Sequence, residues 1–549
     1  MEEINMNKHL LSFAAISLSA LLLAACGAKG SSHNSASSHN SISLMQTNEL
    51  LSLDTSAVAD LPIWNTLENS MEGLYRANSK NEPTPAMATS IAKPTNDGKT
   101  YTFHLRKNAK WSNGDPVTAT DFVKAWRRDV SPTAKSGYNY IFSGIKNADA
   151  ITAGKKSYKT LGVYALNKHT LQVQLDHPMP YFIKMMVLPA FFPQSSTALD
   201  KFGSKYGTKS QYMYYNGPFK VTGWNGTNDN WTLKRNSHYY DQSAIHLSSI
   251  KMQVVKDPNT AHNLFTQGKL DDATISGVTA KGLQKNKDLI HVEKAGTYYL
   301  RLNQRNGQPL NNAKLRQAIS LVIDRDKLTK DILSDGSQPA YTYTSKDTAT
   351  DPTTGKDFAE ETKPKETYNI AKAKKLWAEG LKESHTKGNI QLRLTGDDQT
   401  ITKNVAQFIQ ASIKQSLPDA KVNISSLPAK GLLNTETAGK FDILQTLWLS
   451  DFADPISFMG IMTKNSPQNY GKYDDAYFDK QYQEATSDNA KNQSKYWANL
   501  RNMQTRLNEQ MPVIPLYQMI ESHLVNPHLK GVLHHPAGED DYTRAYLTK

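Results

Sequence analysis

A single cysteine, Cys26, closes an apolar run near the start of a chain of 549 residues. One thiol per chain leaves no disulfide to staple the fold, so buried apolar surface must hold it, and 38% hydrophobic with 9% aromatic residues is ample for real cores. The length suggests two to four domains. The stretch from Leu10 to Ala25 is too short to span a bilayer comfortably, follows the basic Lys8 and ends in small residues, which predicts a cleaved leader rather than an anchor helix. Glu2 and Glu3 are an unusual beginning for a leader, and a start at Met6 is the alternative to Met1.

The letters Leu23-Ala24-Ala25-Cys26 resemble the lipobox of bacterial lipoprotein signal peptides. The resemblance implies removal of residues 1–25 and a diacylglyceryl group on the Cys26 thiol. Two acyl chains at roughly 0.8 kcal/mol per buried methylene would hold the protein on the extracellular face of the cell membrane. An ordinary secretory signal with an incidental cysteine is the competing reading. Residues 27–43 are Gly, Ser, Asn and His with SSHN written twice, so 26–43 reads as a lipid-anchored flexible tether. His33 and His39 in it are assigned no metal. Loss of Glu2, Glu3 and Lys8 with the leader gives a net charge of about +14. That charge is scattered as single Lys and Arg residues among Asp and Glu, without the dense basic blocks of a nucleic-acid binder. No second apolar run of membrane length follows.

Beyond the tether the pattern is mixed α/β. Tyr101, Phe103 and Leu105 alternate as a strand, Asn113-Gly114 marks a tight turn, and Thr118 with Asp121 fits a capping box for a helix carrying Ala119, Val123, Trp126 and Val130 up to Pro132. A hairpin is expected over 161–176 with Asn167-Lys168 at its turn. A strand at 249–256, a helix opened by Asp257-Pro258 and closed by Gly268, and a strand near 271–275 read as a βαβ unit. The last third repeats the logic: strand 390–395, a helix with Val405, Phe408, Ile409 and Ile413, strand 421–425, another helix, and strand 441–447. Two α/β lobes follow. Between them Asn312 is placed to cap a helix with Leu315, Ala318, Ile319, Val322 and Ile323 on one face.

Catalytic constellations are missing from the sequence. HExxH, GxSxG and P-loop patterns do not occur, SxxK at Ser143 and Ser248 is a short match of the kind chance supplies in a long chain, and the fifteen histidines lack ligand spacing. No cofactor or metal is expected, and the chain does not read as an enzyme.

Three aromatic and amide-rich segments stand out: Lys110 to Trp126 (KWSNGDPVTATDFVKAW), Asn216-Gly217-Pro218-Phe219, and Leu447 to Pro455 (LWLSDFADP). With SLDT at 52–55, YYLRLNQ at 298–304 and LRQAISLVIDR at 315–325, they resemble extracellular solute-binding proteins, family 5, and within it the oligopeptide-binding lipoproteins of peptide ABC transporters. The likeness runs from about residue 44 to the C-terminus. It implies a two-lobed periplasmic-binding-protein-like fold (large cluster C type) with an extra inserted α/β subdomain: lobe I from 44–64, 190–295 and 516–549, the insert 65–189, lobe II 296–515, and hinge crossings near 296 and 515. It also implies the role of a monomeric receptor, capturing oligopeptides and delivering them to permease subunits in the membrane.

By the same resemblance Asp451 holds the peptide α-ammonium; without the resemblance it reads first as a turn residue beside Asp454-Pro455. Segments pairing with the peptide as an added strand fall at Ser450 to Phe452, at Glu49, Leu50 and Leu51, and around Ser276. Trp448 and Leu449 adjoin them. Tyr138, Tyr298, Tyr299 and Trp448 are pocket walls or core aromatics. The segment 434–447 carries only Lys440 where relatives place arginines toward the peptide C-terminus, so recognition of that end is either loose or served by a cation from elsewhere. Alternatives are receptors of the same family for dipeptide, signalling peptide, haem or nickel chelate, a surface adhesin or chaperone lipoprotein, and a hydrolase.

Overall fold

The computed structural model describes residues 40–549 apart from 57–60, 80–81, 135, 386–388, 418 and 453. The leader, Cys26 and the tether up to His39 lie outside the described residues. The tether ends earlier than expected: Ser41–Gln46 is a strand, because Ile42 and Leu44 alternate with Ser41 and Ser43 and bury against a parallel partner, Ser249–Val254. Asn230–Arg235 and Phe219–Thr222 complete that four-stranded sheet.

The turn and cap signals are realised locally. Gly114 adopts φ +95° in the turn that joins Lys110 to Pro116. Helix Ala119–Asp129 begins where the Asp121 carboxylate accepts the Thr118 backbone N–H at 2.8 Å. Val163–Asn167 and Thr170–Gln174 form the expected hairpin, extended by Thr100–His104 into a three-stranded sheet. Its core, with Trp111, Trp126 and Phe103 almost fully buried, runs on without a break into that of the four-stranded sheet.

A second core lies around a larger sheet, ordered Asp272–Ile275, Val513–Val525, Leu289–Leu302, Ile443–Leu449, Ile390–Asp397 and Ala420–Leu427. Ile390–Asp397, helix Thr400–Ser416 and Ala420–Leu427 make a true parallel βαβ unit, and Asn312 caps helix Ala313–Leu321 through the N–H groups of Lys314 and Leu315. The expected unit over 249–275 is not one. Asp257 does cap helix Pro258–Thr266, but the strand after it, Asp272–Ile275, pairs antiparallel with Val513–Val525 in the larger sheet instead of returning beside Ser249–Val254.

Two long antiparallel strands, Leu289–Leu302 and Val513–Val525, traverse this sheet together. Their register breaks between Glu293 and Thr297. The three residues in the break find other partners: Lys294 Nζ donates to the Gly538 carbonyl (3.0 Å), the Ala295 N–H to the Pro536 carbonyl (2.8 Å), and the Ala295 carbonyl accepts the Ser450 N–H (2.7 Å). Gly296 lies opposite Leu449. A Cβ there would come within 2.9 Å of Leu449 Cδ1 and 3.3 Å of the Trp448 carbonyl oxygen, so any larger residue makes this edge of the cavity give way.

Candidate ligand-binding site

A cavity of about 410 Å³ opens at this break, walled by the end of strand Ser41–Gln46, the loop at Lys256, helix Ala429–Thr437, Tyr138 and the three central strands. Strand Ile443–Leu449 supplies its distinctive edge. One side pairs with Leu289–Leu302 along its whole length; the other pairs with Ile390–Asp397 only through Ile443 and Leu444. Gln445 to Leu449 therefore present, among the described residues, a sheet edge without a strand partner, and all five line the cavity.

Asp451 stands where that edge runs out. Its N–H donates to Ser457 Oγ (2.9 Å), the Ser457 hydroxyl reaches its Oδ2 at 3.3 Å, and the Tyr138 hydroxyl donates to its Oδ1. Asp454 fixes the loop by accepting the Ile456 N–H at 3.0 Å and the Tyr496 hydroxyl at 2.7 Å. No ion pair reaches Asp451 among the described residues. Burial outweighs the two hydroxyl donors and pushes its carboxyl up to about 7, while burial and the neighbouring carboxylate hold Tyr138 firmly as the phenol. The arrangement is a buried carboxylate with hydrogen-bond support and, among the described residues, no counter-charge, which suits a cationic group.

Of the residues singled out from the sequence, the structure brings Leu51, Tyr138, Ser276, Tyr298, Trp448, Leu449, Ser450 and Asp451 to one cavity. Tyr299 is corrected to core. Adjacent strand residues point to opposite faces, so Tyr298 looks into the cavity, where it stacks on Tyr517, and Tyr299 is fully buried edge-on to Tyr343. Leu50 is likewise core, and Phe452 stacks on Tyr181 beside a separate small pocket. Glu49 acts at one remove, holding Lys256 at 2.6 Å.

Lys256 also reaches Asp398 at 3.0 Å and is, among the described residues, the one cation in the wall, facing Asp335, Asp397, Glu436, Glu521 and Glu539. In the sequence Lys256 reads only as the last residue of a strand, ahead of the helix start at Asp257-Pro258. Ser457 and Gln445 were missed as well: an isolated serine or glutamine carries no motif, and Gln445 declares itself only through two buried amide atoms without partners.

Residues 82–470 match the family described as "Bacterial extracellular solute-binding proteins, family 5 Middle". The chain belongs to that family. The family 5 chain is 34% identical to a dipeptide-binding protein of Lactococcus lactis subsp. cremoris (strain MG1363), over 97% of this chain and 98% of that one. It superposes on Listeria monocytogenes OppA bound to peptide with a TM-score of 0.88 at 32% identity, covering 93% and 99% of the two chains. Its mixed α/β fold is the two-lobed one of these solved relatives. Escherichia coli MppA gives a TM-score of 0.84 in one structure and 0.61 in its unliganded open form, each covering 93% of this chain and 98% of MppA at 28% and 27% identity. The lobes of this family 5 protein thus stand apart from the open arrangement.

Proposed function

We propose that this protein is the receptor of an oligopeptide ABC importer, binding peptides through a free amino terminus between two closing lobes and handing them to a membrane permease. The observation that carries the reading is Asp451, a carboxylate buried at the end of an open strand edge with hydroxyl donors and no cation. A peptide α-ammonium supplies the missing charge, and its backbone then lies along Gln445 to Leu449 as an added strand. A neutral or anionic ligand would leave Asp451 uncompensated.

The lobes follow the boundaries given above: 44–64, 190–295 and 516–549 for the first, 65–189 for the insert, 296–515 for the second. Support for a crossing near 296 comes from the break at 293–297, where a pair of long strands can flex. Closure without ligand buries Asp451 at a cost, which biases the empty receptor toward opening. Lys256, clamped by Glu49 and Asp398, is the cation available to a peptide carboxylate. Lipid on Cys26 would keep the receptor at the extracellular face of the membrane, as a monomer. The chemistry is binding alone.

The test is a tryptophan-fluorescence titration of ligand-stripped protein with dipeptide, tetrapeptide and pentapeptide pools bearing free or acetylated amino termini. Saturable binding of the free tetra- and pentapeptides alone is expected. Equal binding of free and acetylated pools would remove Asp451 from the site, and tighter binding of dipeptides would move the ligand class toward that of the Lactococcus relative.

A further inference from the structure

We propose that Asp272, His523, His534 and Asp540 form a site for one divalent transition-metal ion, zinc by donor preference, packed behind the ligand cavity. The four come from three parts of the chain: Asp272 from strand Asp272–Ile275, His523 from Val513–Val525, and His534 with Asp540 from the C-terminal loop. One donor atom from each lies within 4.8 Å of the other three. Asp272 and His523 are almost wholly buried, at 7% and 5% exposure, and His534 and Asp540 are mostly so.

Three observations distinguish this from a chance meeting of polar groups. First, His534 Nδ1 and Asp540 Oδ1 are 3.0 Å apart, yet their alignment is not that of a hydrogen bond and neither atom has another partner. Two ligands on one tetrahedral ion with bonds of about 2.0–2.1 Å sit about 3.3 Å apart without bonding each other. Second, His523 presents Nδ1 to Asp272 at 2.8 Å, while its buried Nε2 lacks a hydrogen-bond partner and faces Glu521 Oε2 at 3.5 Å. With Nδ1 on a metal, the Nε2–H would point to a carboxylate, the usual outer-shell arrangement of a ligating histidine. Third, the neighbourhood is rich in buried acid. Glu521 and Glu539 lie within electrostatic reach of Asp540, Glu68 and Asp541 lie beyond them, and the fixed cations in this neighbourhood are Lys294 and Arg76.

Two imidazole nitrogens and two carboxylate oxygens suit zinc, with cobalt(II) as its spectroscopic substitute. The loop that carries two of the ligands is closed at its base. Leu533 and Asp541 exchange backbone hydrogen bonds at 3.1 and 2.9 Å, closing a neck just inside which His534 and Asp540 face each other. Gly538 and Glu539 at its tip line the ligand cavity, so the ion would also fix part of that wall. The inference is independent of which solute the cavity takes.

The experiment titrates EDTA-treated full-length protein with cobalt(II) chloride and zinc chloride, reading visible absorption, bound metal by elemental analysis, and melting temperature. One equivalent of cobalt with the intense visible bands of a tetrahedral site, and a zinc-dependent rise in melting temperature, are expected. His534→Gln and Asp540→Asn should each abolish stoichiometric binding at micromolar metal, while a His33→Gln/His39→Gln variant should keep it. Circular dichroism would confirm that the variants fold, and X-ray absorption of the zinc-loaded protein should read mixed nitrogen and oxygen ligation. Absence of one-to-one binding would overturn the site. So would binding that survives both loop substitutions or that is lost with the tether histidines.

Discussion

Peptide discrimination at Asp451 should depend on pH in a way that isolates this one carboxylate. In the cavity without a cation the group titrates at about 7 against an ordinary 3.8. At about 1.4 kcal/mol per unit, that displacement makes the charged form roughly 4 kcal/mol harder to bury, or on the order of 10³ in binding. An acetylated peptide leaves the cost in place; a free amino terminus removes it. The ratio of dissociation constants, acetylated over free, involves only the two complexes, so the conformation of the empty protein cancels. The acetylated complex holds a proton on Asp451 below pH 7 and the ammonium complex does not, so the ratio should fall about tenfold per pH unit from 7 toward 5. It should fall again above pH ~8, as the peptide amine itself deprotonates. Calorimetric titrations of one tetrapeptide in both forms at half-unit pH steps measure the curve. In Asp451→Asn the ratio should stay near one and flat below pH 7. A wild-type ratio that does not change between pH 5 and 7, or an Asn variant with the same slope, would refute the reasoning.

The same carboxyl makes a prediction about stability. Its folded pKa is raised above the unfolded value, so it destabilises the folded form above pH ~4 and most fully above 7; ligand-free Asp451→Asn should melt higher than wild type at pH 8, by less than the 4 kcal/mol ceiling, with the gap closing toward pH 4 in a calorimetric series. Tyr138→Phe removes a hydroxyl donor to Oδ1 and should weaken free-amine peptides by about 1–2 kcal/mol, readable in the fluorescence titration, with acetylated peptides little changed. Gly296→Val places a Cβ 2.9 Å from Leu449 Cδ1 and 3.3 Å from the Trp448 carbonyl, so peptide affinity should drop at least tenfold while far-ultraviolet circular dichroism stays native.

Sequence patterns located most elements because caps and alternation are local: Asp121, Asp257 and Asn312 each announce a helix start within four residues. What escaped was set by distant partners. The strand after Gly268 alternates as expected, but whether it returns beside Ser249–Val254 or crosses to Val513–Val525 depends on residues 250 positions away. The site shows the same division. Asp451, Trp448 and Ser450 were legible through a motif, whereas Tyr298 and Tyr299 are indistinguishable as letters and separate only when register puts one in the cavity and the other in the core. Lys256 joined the wall because two acids from different parts of the chain aim it there.

The unpartnered edge at Gln445 to Leu449 carries a hazard along with its use. A bare strand edge accepts any extended backbone, including that of another copy of the same protein, and native folds usually blunt such edges with charge or proline. Here the five residues are Gln, Thr, Leu, Trp and Leu, with nothing to repel a second strand. Their protection is seclusion: while the lobes are together all five residues line the cavity. The open, empty receptor is then the aggregation-prone species, and a bound peptide serves as a chaperone for its own carrier, so that concentrated protein should keep longest when stored loaded.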